Sequence, residues 1–299
     1  MSSASASTPA WACLPIIGLN NDDDYDVDAR TPNAQGQLDA FRDRSDAVRK
    51  TPGMSLRTVS YADHPLAVAD VFRPAQGPVR GTVVFLHGGY WKGAGRPNRA
   101  FLAPAWTAAG VRWINLGYPV APGVTVPEIC RFTRGALLAL LRDQAPFEDV
   151  AGPVVLSGNS VGAHLLAHAL TDAQVRQAAV GRLAGSMLLS GLYELEPLIH
   201  LPSREWTRLD TETAAQLSPL RYPAPSLPAP TLVAVGADEP PAFIGQSRAY
   251  AQHLLGRTEV GYQEVAGRNH MSLIPTLESP DAVLGRAIAG WLGLADIGR

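Results

Sequence analysis

Strand-like and helix-like segments alternate along most of this 299-residue chain, and that alternation limits the fold more than any other feature. From residue 81 onward, short apolar runs rich in Val and Leu alternate with stretches whose apolar residues recur at helical spacing. The runs are GTVVFLHGG, VRWINLGYP, GPVVLSG, GSMLLSG, PTLVAVG and VGYQEVAG, and the clearest helix is PEICRFTRGALLALLRDQ. This pattern predicts an α/β fold with a mostly parallel central sheet and helices on both faces.

The regions outside this alternating part have different patterns. Two alternating runs around a polar turn, LRTVSYADHPLAVADVFRP, predict an N-terminal antiparallel hairpin. We expect residues 1–20 to form a disordered or docked tail and residues 21–299 to form a single domain. Residues 192–229 form a long, proline-rich insertion without strand character. Because ligands bind at the carboxyl ends of the strands in open α/β sheets, we expect this insertion to roof the site.

Charge and cysteine content exclude several classes of partner. The net charge is -2 and 17% of the residues are charged, so the chain has no basic field for nucleic acid or anionic lipid. Its two cysteines, Cys13 and Cys130, cannot form a disulfide framework. The start of the chain has no Lys or Arg before its short, proline-interrupted apolar stretch, which is unlike a signal peptide. We expect a cytoplasmic protein with a small-molecule substrate; a homodimer is left open.

An acidic stretch, NNDDDYDVDARTPN, occupies residues 20–33. Its five aspartates resemble the ligands of a calcium-binding loop, but the glycine and the terminal glutamate of that loop are missing. The stretch is therefore interpreted as a solvated surface loop.

Ser160 is the central residue of Gly-Asn-Ser-Val-Gly, which joins the apolar run PVVLS to the helical segment AHLLAHAL. A sharp strand-to-helix turn of this kind holds its central side chain clear of the sheet, at the N-terminus of the helix. Glycines two residues before and after it let the strand and the helix approach closely. The motif predicts a nucleophilic serine; the alternative is a glycine-rich turn with an idle serine.

A serine nucleophile requires a histidine base oriented by a carboxylate. His270, in EVAGRNHMSLIP, follows the last strand-like run and is the candidate base. The alternatives are His164 and His168 within the following helix, His253 on an amphipathic helix, and His200 in the insertion. The first two are four residues apart, but HLLAH lacks the glutamate of the zinc-protease motif, so no metal site is expected.

Backbone amides must stabilise the oxyanion that forms when a serine attacks a carbonyl group. The amide of Val161 directly follows the candidate nucleophile, and the turn HGGYW at residues 87–91 offers further donors after the strand TVVFL. Tyr90 and Trp91 in that turn are predicted to line a pocket for an aromatic leaving group. Packing of these two rings in the core or at the rim is the alternative.

Taken together, these motifs resemble those of the α/β-hydrolases, and within them the kynurenine formamidase and small carboxylesterase branch. The resemblance rests on HGGYW, SGNSVGAHL, PPAFIGQS and GRNHMSLI, and extends to YADHPLAVADVFRP and more loosely to YDVDARTP. It implies a serine hydrolase without metal or cofactor, with the oxyanion turn at Gly88, Gly89 and Tyr90.

The resemblance also indicates the acid of the triad. Hydrolases of this fold have the pattern Gly-x-x-acid, which from Gly236 points to Glu239 instead of the usual aspartate; the neighbouring Asp238 stays open as the alternative. Asn159 stands where the family usually has histidine, and it is expected to lie in the substrate pocket.

These observations support three hypotheses for the function. The leading one is hydrolysis of a small acyl compound, either an aryl formamide such as N-formylkynurenine or a short-chain ester, through an acyl-enzyme. The second is a general short-chain carboxylesterase of an unrelated pathway. The third is a catalytically idle hydrolase fold that acts as a binding protein.

Overall fold

A computed structural model of the protein describes residues 9–13, 22–93, 95–150 and 152–294. Its centre is an eight-stranded sheet. The strands are β1 (Ser55–Ser60), β2 (Val68–Arg73), β3 (Gly81–Leu86), β4 (Val111–Leu116), β5 (Val154–Asn159), β6 (Leu183–Leu189), β7 (Thr231–Gly236) and β8 (Val260–Val265).

The strand order is β1-β2-β4-β3-β5-β6-β7-β8. Strand β2 pairs antiparallel with both β1 and β4, whereas every pairing from β4 to β8 is parallel. The prediction of a mostly parallel sheet with an N-terminal antiparallel hairpin is confirmed. Because β3 to β8 run in one direction, the segments that follow them emerge at one edge of the sheet.

Helices fill most of the connections between the strands. They are α1 (Ala34–Lys50), α2 (Ala103–Ala108), α3 (Val126–Leu141), α4 (Val161–Leu170), α5 (Ala173–Ala179), α6 (Arg204–Thr207), α7 (Thr211–Leu217), α8 (Pro241–Leu254) and α9 (Gly285–Trp291). Single 3₁₀ turns or short 3₁₀ helices lie at 10–13, 22–25, 96–102, 196–200, 219–221 and 274–277. Among the described helices, none has both the length and the apolar character that a membrane span requires.

Side chains of the central strands alternate between two hydrophobic cores. On β3, Val84 and Leu86 belong to the core covered by α3, α4 and α8, whereas Val83 and Phe85 belong to the core covered by α1, α2 and α9. The same alternation holds on β4. Each of these two central strands is thus buried on both faces, which explains why its sequence is mostly apolar.

The described part of the predicted tail contacts the domain, and the insertion contains short helices. The ring of Trp11 lies 5.7 Å from that of Tyr262, and the Gln252 amide donates a hydrogen bond of 3.0 Å to the Ala12 carbonyl. Residues 1–8 and 14–21 lie outside the described residues. The insertion contains α6, α7 and two 3₁₀ segments and has no strand.

Two buried histidines make the stability of this fold depend on pH. Burial lowers the pKa of His87 and that of His164 to about 3. The ordinary pKa of an unfolded histidine is about 6.5. As the pH falls below that value, the unfolded chain takes up protons first, so the free energy of unfolding must fall between pH ~6.5 and pH ~3.

We predict that His164→Gln flattens this pH dependence. Each buried histidine contributes a slope of up to about 1.4 kcal/mol per pH unit in that window, and the substitution removes one such contribution. Glutamine still offers a donor for the Leu217 carbonyl, which lies 2.9 Å from the His164 Nε2 atom. Urea unfolding measured at several pH values above the carboxylate range tests this. His200→Gln, at an exposed position, is the matched control; equal slopes for all three proteins would contradict the prediction.

Candidate active site

Ser160 occupies a strained turn between β5 and α4. Its φ and ψ of 56° and -122° lie in a region that side-chain-bearing residues rarely adopt. The amide of Ser160 donates a hydrogen bond of 2.8 Å to the Leu189 carbonyl at the end of β6. The side chain is 3% exposed, and its Oγ has no hydrogen-bond partner in the described part of the chain.

The two flanking glycines make the turn possible. A Cβ atom at Gly158 would lie 2.5 Å from the Gly162 carbonyl carbon, and a Cβ at Gly162 would lie 2.1 Å from the Leu86 oxygen. Both contacts are with backbone atoms that cannot rotate away. Only glycine at these positions lets the start of α4 pack against β5 and the end of β3.

His270 is held by a buried carboxylate. Its Nδ1 atom lies 2.6 Å from the Glu239 Oε2 atom, and its ring packs against Phe243 with the centroids 4.6 Å apart. In the neutral ring that donates Nδ1–H to this carboxylate, the Nε2 lone pair remains free to accept a proton. The contact thereby fixes the ring orientation and the tautomer.

The second oxygen of Glu239 is held as well. Its Oε1 atom accepts hydrogen bonds from the Ser190 hydroxyl at 2.6 Å and from the Gly236 amide at 2.7 Å. Sequence reasoning missed Ser190, although it directly follows β6 and therefore lies at the same edge of the sheet. Asp238 is exposed, and its side chain has no partner among the described residues. The carboxylate that contacts His270 is therefore that of Glu239.

The turn after β3 approaches Ser160 closely. A Cβ at Gly88 would lie 2.9 Å from the Ser160 Cβ, and Gly89 has a φ of 128°. The amides of Gly89, Tyr90 and Val161 donate to no acceptor among the described residues. These three donors lie in the segments that adjoin Ser160.

Tyr90 is fixed from two sides. Its hydroxyl donates a hydrogen bond of 3.0 Å to the Tyr25 carbonyl, and its own carbonyl accepts one of 2.8 Å from the Trp206 indole. The first contact comes from the N-terminal region and the second from the insertion. The turn is thus held in place by segments remote from it in sequence.

A cavity of about 510 Å³ opens in front of these groups. Ser160 and His270 both line it, together with residues of the N-terminal segment, the turn after β3 and the insertion. The lining consists of Tyr25, Asp26, Val27, Asp28, Gly89, Tyr90, Ser160, Leu201, Pro202, Ser203, Trp206, His270 and Met271.

Two predicted pocket residues do not line this cavity, so that part of the prediction is wrong. Trp91 is fully buried and packs edge-on against His164, with ring centroids 5.2 Å apart. It fills the core beneath the turn. Asn159 is also buried, and its Oδ1 atom lies within 3.0 Å of the position of a Cβ at Gly88. It therefore packs behind the glycine turn, away from the cavity.

The acidic segment near the N-terminus was predicted to be a solvated surface loop, and Asp26 and Asp28 are indeed exposed. Sequence reasoning missed that the same two residues also line the cavity. The reason is long-range packing, because the neighbouring Tyr25 and Val27 side chains are buried in the main core. In an isolated sequence this segment shows only its charge, which is typical of a solvent-exposed loop.

The alternative histidines on α4 lie away from the cavity lining. His164 is buried and His168 half-buried, and their rings stack with centroids 6.1 Å apart. Within the described residues, no three His, Cys, Asp or Glu side chains are grouped as metal ligands would be.

We predict that Gly162→Ala destabilises the protein by about 3 kcal/mol or more, because its methyl group would overlap the Leu86 carbonyl. Gly135→Ala is the matched control. It lies within α3 with nothing within 4 Å of the added methyl group, so it should stabilise the protein by about 0.5–1 kcal/mol. Urea unfolding of both variants tests this, and a Gly162→Ala protein as stable as the wild type would contradict it.

Comparison with known proteins identifies the family of this chain. A family model described as the alpha/beta hydrolase fold matches residues 83–274. The kynurenine formamidase of Danio rerio is 26% identical over 245 residues, covering 80% of this chain and 82% of the relative. A structure from Silicibacter sp., described as a candidate thioesterase, is 26% identical with a TM-score of 0.79 and covers 91% of this chain and 100% of its own. The Pyrobaculum calidifontis esterase has a TM-score of 0.65 at 18% identity, over 89% and 94% of the two chains. The chain belongs to the α/β-hydrolase family.

Proposed function

We propose that this protein is a serine hydrolase that cleaves a small aryl formamide or a short-chain ester through an acyl-enzyme. The observation that carries the proposal is the convergence of Ser160 and His270 on one cavity, with Glu239 bound to the far side of the histidine ring. A serine hydroxyl is a weak nucleophile until an adjacent base removes its proton. This arrangement supplies the base and the group that orients it.

In the proposed reaction, the Ser160 Oγ attacks the carbonyl carbon of the substrate while His270 Nε2 takes the hydroxyl proton. The protonated imidazole is stabilised by Glu239 and then gives its proton to the leaving amine or alcohol. Water next attacks the acyl-serine with His270 again as the base. This step releases formate or another short carboxylate and restores the serine.

The oxyanion of each tetrahedral intermediate is assigned to the amides of Gly89, Tyr90 and Val161. Their freedom from other acceptors supports this role. A donor of this kind contributes about 3 kcal/mol to lowering the barrier. Gly88 has a different part in the proposal: without a side chain, it lets the turn approach Ser160.

The cavity supports a substrate of modest size with an aromatic part. Its volume of about 510 Å³ is in the range of small-molecule sites. Tyr90 and Trp206 line it and offer aromatic surface beside the proposed oxyanion donors. Residues 201–206 of the insertion act as a roof over the site in this proposal. The similarity to kynurenine formamidases favours a formamide such as N-formylkynurenine, and the esterase fold neighbours keep short-chain esters as the second candidate.

The nucleophile is tested by Ser160→Ala. We expect the variant to fold and to lose about a thousandfold or more in kcat on an aryl formamide, because the covalent step has no attacking atom. An organophosphonate should label the wild-type protein once, at Ser160, as measured by peptide mass spectrometry. If the variant retained a tenth of the wild-type turnover, the serine mechanism would have to be abandoned.

The acid is tested by a pair of amide substitutions. Glu239→Gln should lower kcat by several hundredfold, because an amide does not stabilise the imidazolium. Asp238→Asn is the matched control one residue away, and its kcat should stay within about tenfold of the wild type. Circular dichroism of both variants checks the fold. The reverse order of effects would assign the acid to Asp238.

A further inference from the structure

Two carboxylates line the cavity that holds Ser160 and His270. Asp26 and Asp28 both contribute to the lining, and no Lys or Arg side chain does so among the described residues. Hydrolysis of an uncharged substrate does not need these two carboxylates, because the proposed reaction uses only Ser160, His270, Glu239 and the oxyanion amides. Their position therefore requires a separate explanation.

The acidic segment is fixed beside the proposed oxyanion turn. The Tyr25 side chain is buried, and its hydroxyl accepts a hydrogen bond of 2.8 Å from the Gln246 amide on α8. The Tyr25 carbonyl accepts a hydrogen bond of 3.0 Å from the Tyr90 hydroxyl. Two anchors on this one residue thus hold the following aspartates at the cavity wall.

Both carboxylates are available to a ligand. One oxygen of Asp26 accepts a hydrogen bond of 3.0 Å from the Ala29 amide, and the Asp28 carboxylate has no partner among the described residues. Burial raises the pKa of Tyr90, and the negative charges of Asp26 and Asp28 raise it further, so their field reaches this turn. The ammonium group of Lys92 lies 4.5 Å from the ring centroid of Trp206, a residue of the cavity lining, but Lys92 itself is not among the lining residues.

An independent polar group on the insertion also lacks a partner. Ser203 lines the same cavity and is 4% exposed, and its Oγ has no hydrogen-bond partner in the described part of the chain. A buried hydroxyl without a partner carries a desolvation cost that a bound ligand can offset. Among the residues that line the cavity, Ser203 thus carries a buried hydroxyl without a partner, in addition to the two carboxylates of Asp26 and Asp28.

We propose that this cavity selects acyl substrates whose leaving group carries an ammonium group, which Asp26 and Asp28 bind, with Ser203 hydrogen-bonding a polar atom of the same substrate. This specificity rests on the proposed hydrolytic function. N-Formylkynurenine carries such an ammonium group next to a carboxylate on the same carbon, whereas simpler aminoalkyl formanilides carry the ammonium group alone. A leaving group with only a negative charge would be repelled by the same wall.

The test compares formanilides of equal size that carry an aminomethyl, a methyl or a carboxylate substituent. In the wild type, we expect kcat/KM for the ammonium compound to exceed that for the neutral one by about tenfold. Two solvent-exposed ion pairs, each of modest strength, would together give a preference of this size. The carboxylate compound should be the poorest substrate. Salt at about 0.5 M should reduce these differences, because it screens exposed charges.

The double variant Asp26→Asn/Asp28→Asn should bring the ammonium-to-neutral ratio to within about twofold. Asp63→Asn/Asp281→Asn makes the same change in net charge at exposed positions outside the cavity, and it should keep the wild-type ratio. Ser203→Ala should weaken all three compounds, each by a similar factor. A wild-type ratio near one, or a high ratio that survives in the first double variant, would overturn the proposal.

Calorimetry on Ser160→Ala separates this inference from the hydrolytic function. Because that variant retains the cavity, it should bind the ammonium formanilide about tenfold more tightly than the neutral one, and Asp26→Asn/Asp28→Asn in the same background should abolish the difference. Preferential binding without any turnover by the wild type would refute the hydrolase proposal alone. Turnover without preferential binding would refute the charge selection alone.

Discussion

The close approach of α4 to the end of β3 is the contact on which the candidate site depends. Gly162 lies so near the Leu86 carbonyl that any side chain would overlap it, and Gly158 meets Gly162 in the same way. Since β3 and β5 are parallel neighbours, this contact brings the segments that follow both strands to one point. The glycine turn at residue 88 and Ser160 become adjacent as a result, although 72 residues separate them in sequence.

The remaining groups reach the same edge of the sheet by the same geometry. Ser190 follows β6, Glu239 follows β7 and His270 follows β8, each a few residues beyond its strand. Three hydrogen-bond donors fix the two oxygens of Glu239, so a longer glutamate side chain still presents its carboxylate to His270 in one orientation. Fixed dipoles of this kind need no rearrangement when an imidazolium forms beside them. The parallel sheet therefore organises the chemical part of the site.

The sequence could predict this part because its signals are local. A strand, a turn with two glycines and a helix are contiguous at Ser160, and His270 follows the last strand-like run of the chain. The alternation of strands and helices likewise predicted the sheet and the coverage of both its faces. The placements that failed depend on tertiary packing. Whether Trp91 faces the cavity or the core is decided by the helix beneath it, where His164 contacts its ring.

The acidic segment shows the same limit at longer range. Asp26 and Asp28 reach the cavity because the neighbouring Tyr25 hydroxyl accepts a hydrogen bond from Gln246, 221 residues further along the chain. No local pattern reports a contact of that separation, and five aspartates near a terminus resemble any solvated loop. The insertion also depends on a long-range contact, since the Trp206 indole donates a hydrogen bond to the Tyr90 carbonyl beside the site. The groups proposed to react thus come from the edge of the sheet, whereas much of the cavity wall comes from two segments outside it. Changes in those segments can alter which substrate is bound without displacing the proposed reacting groups, and such a division lets one fold support different functions.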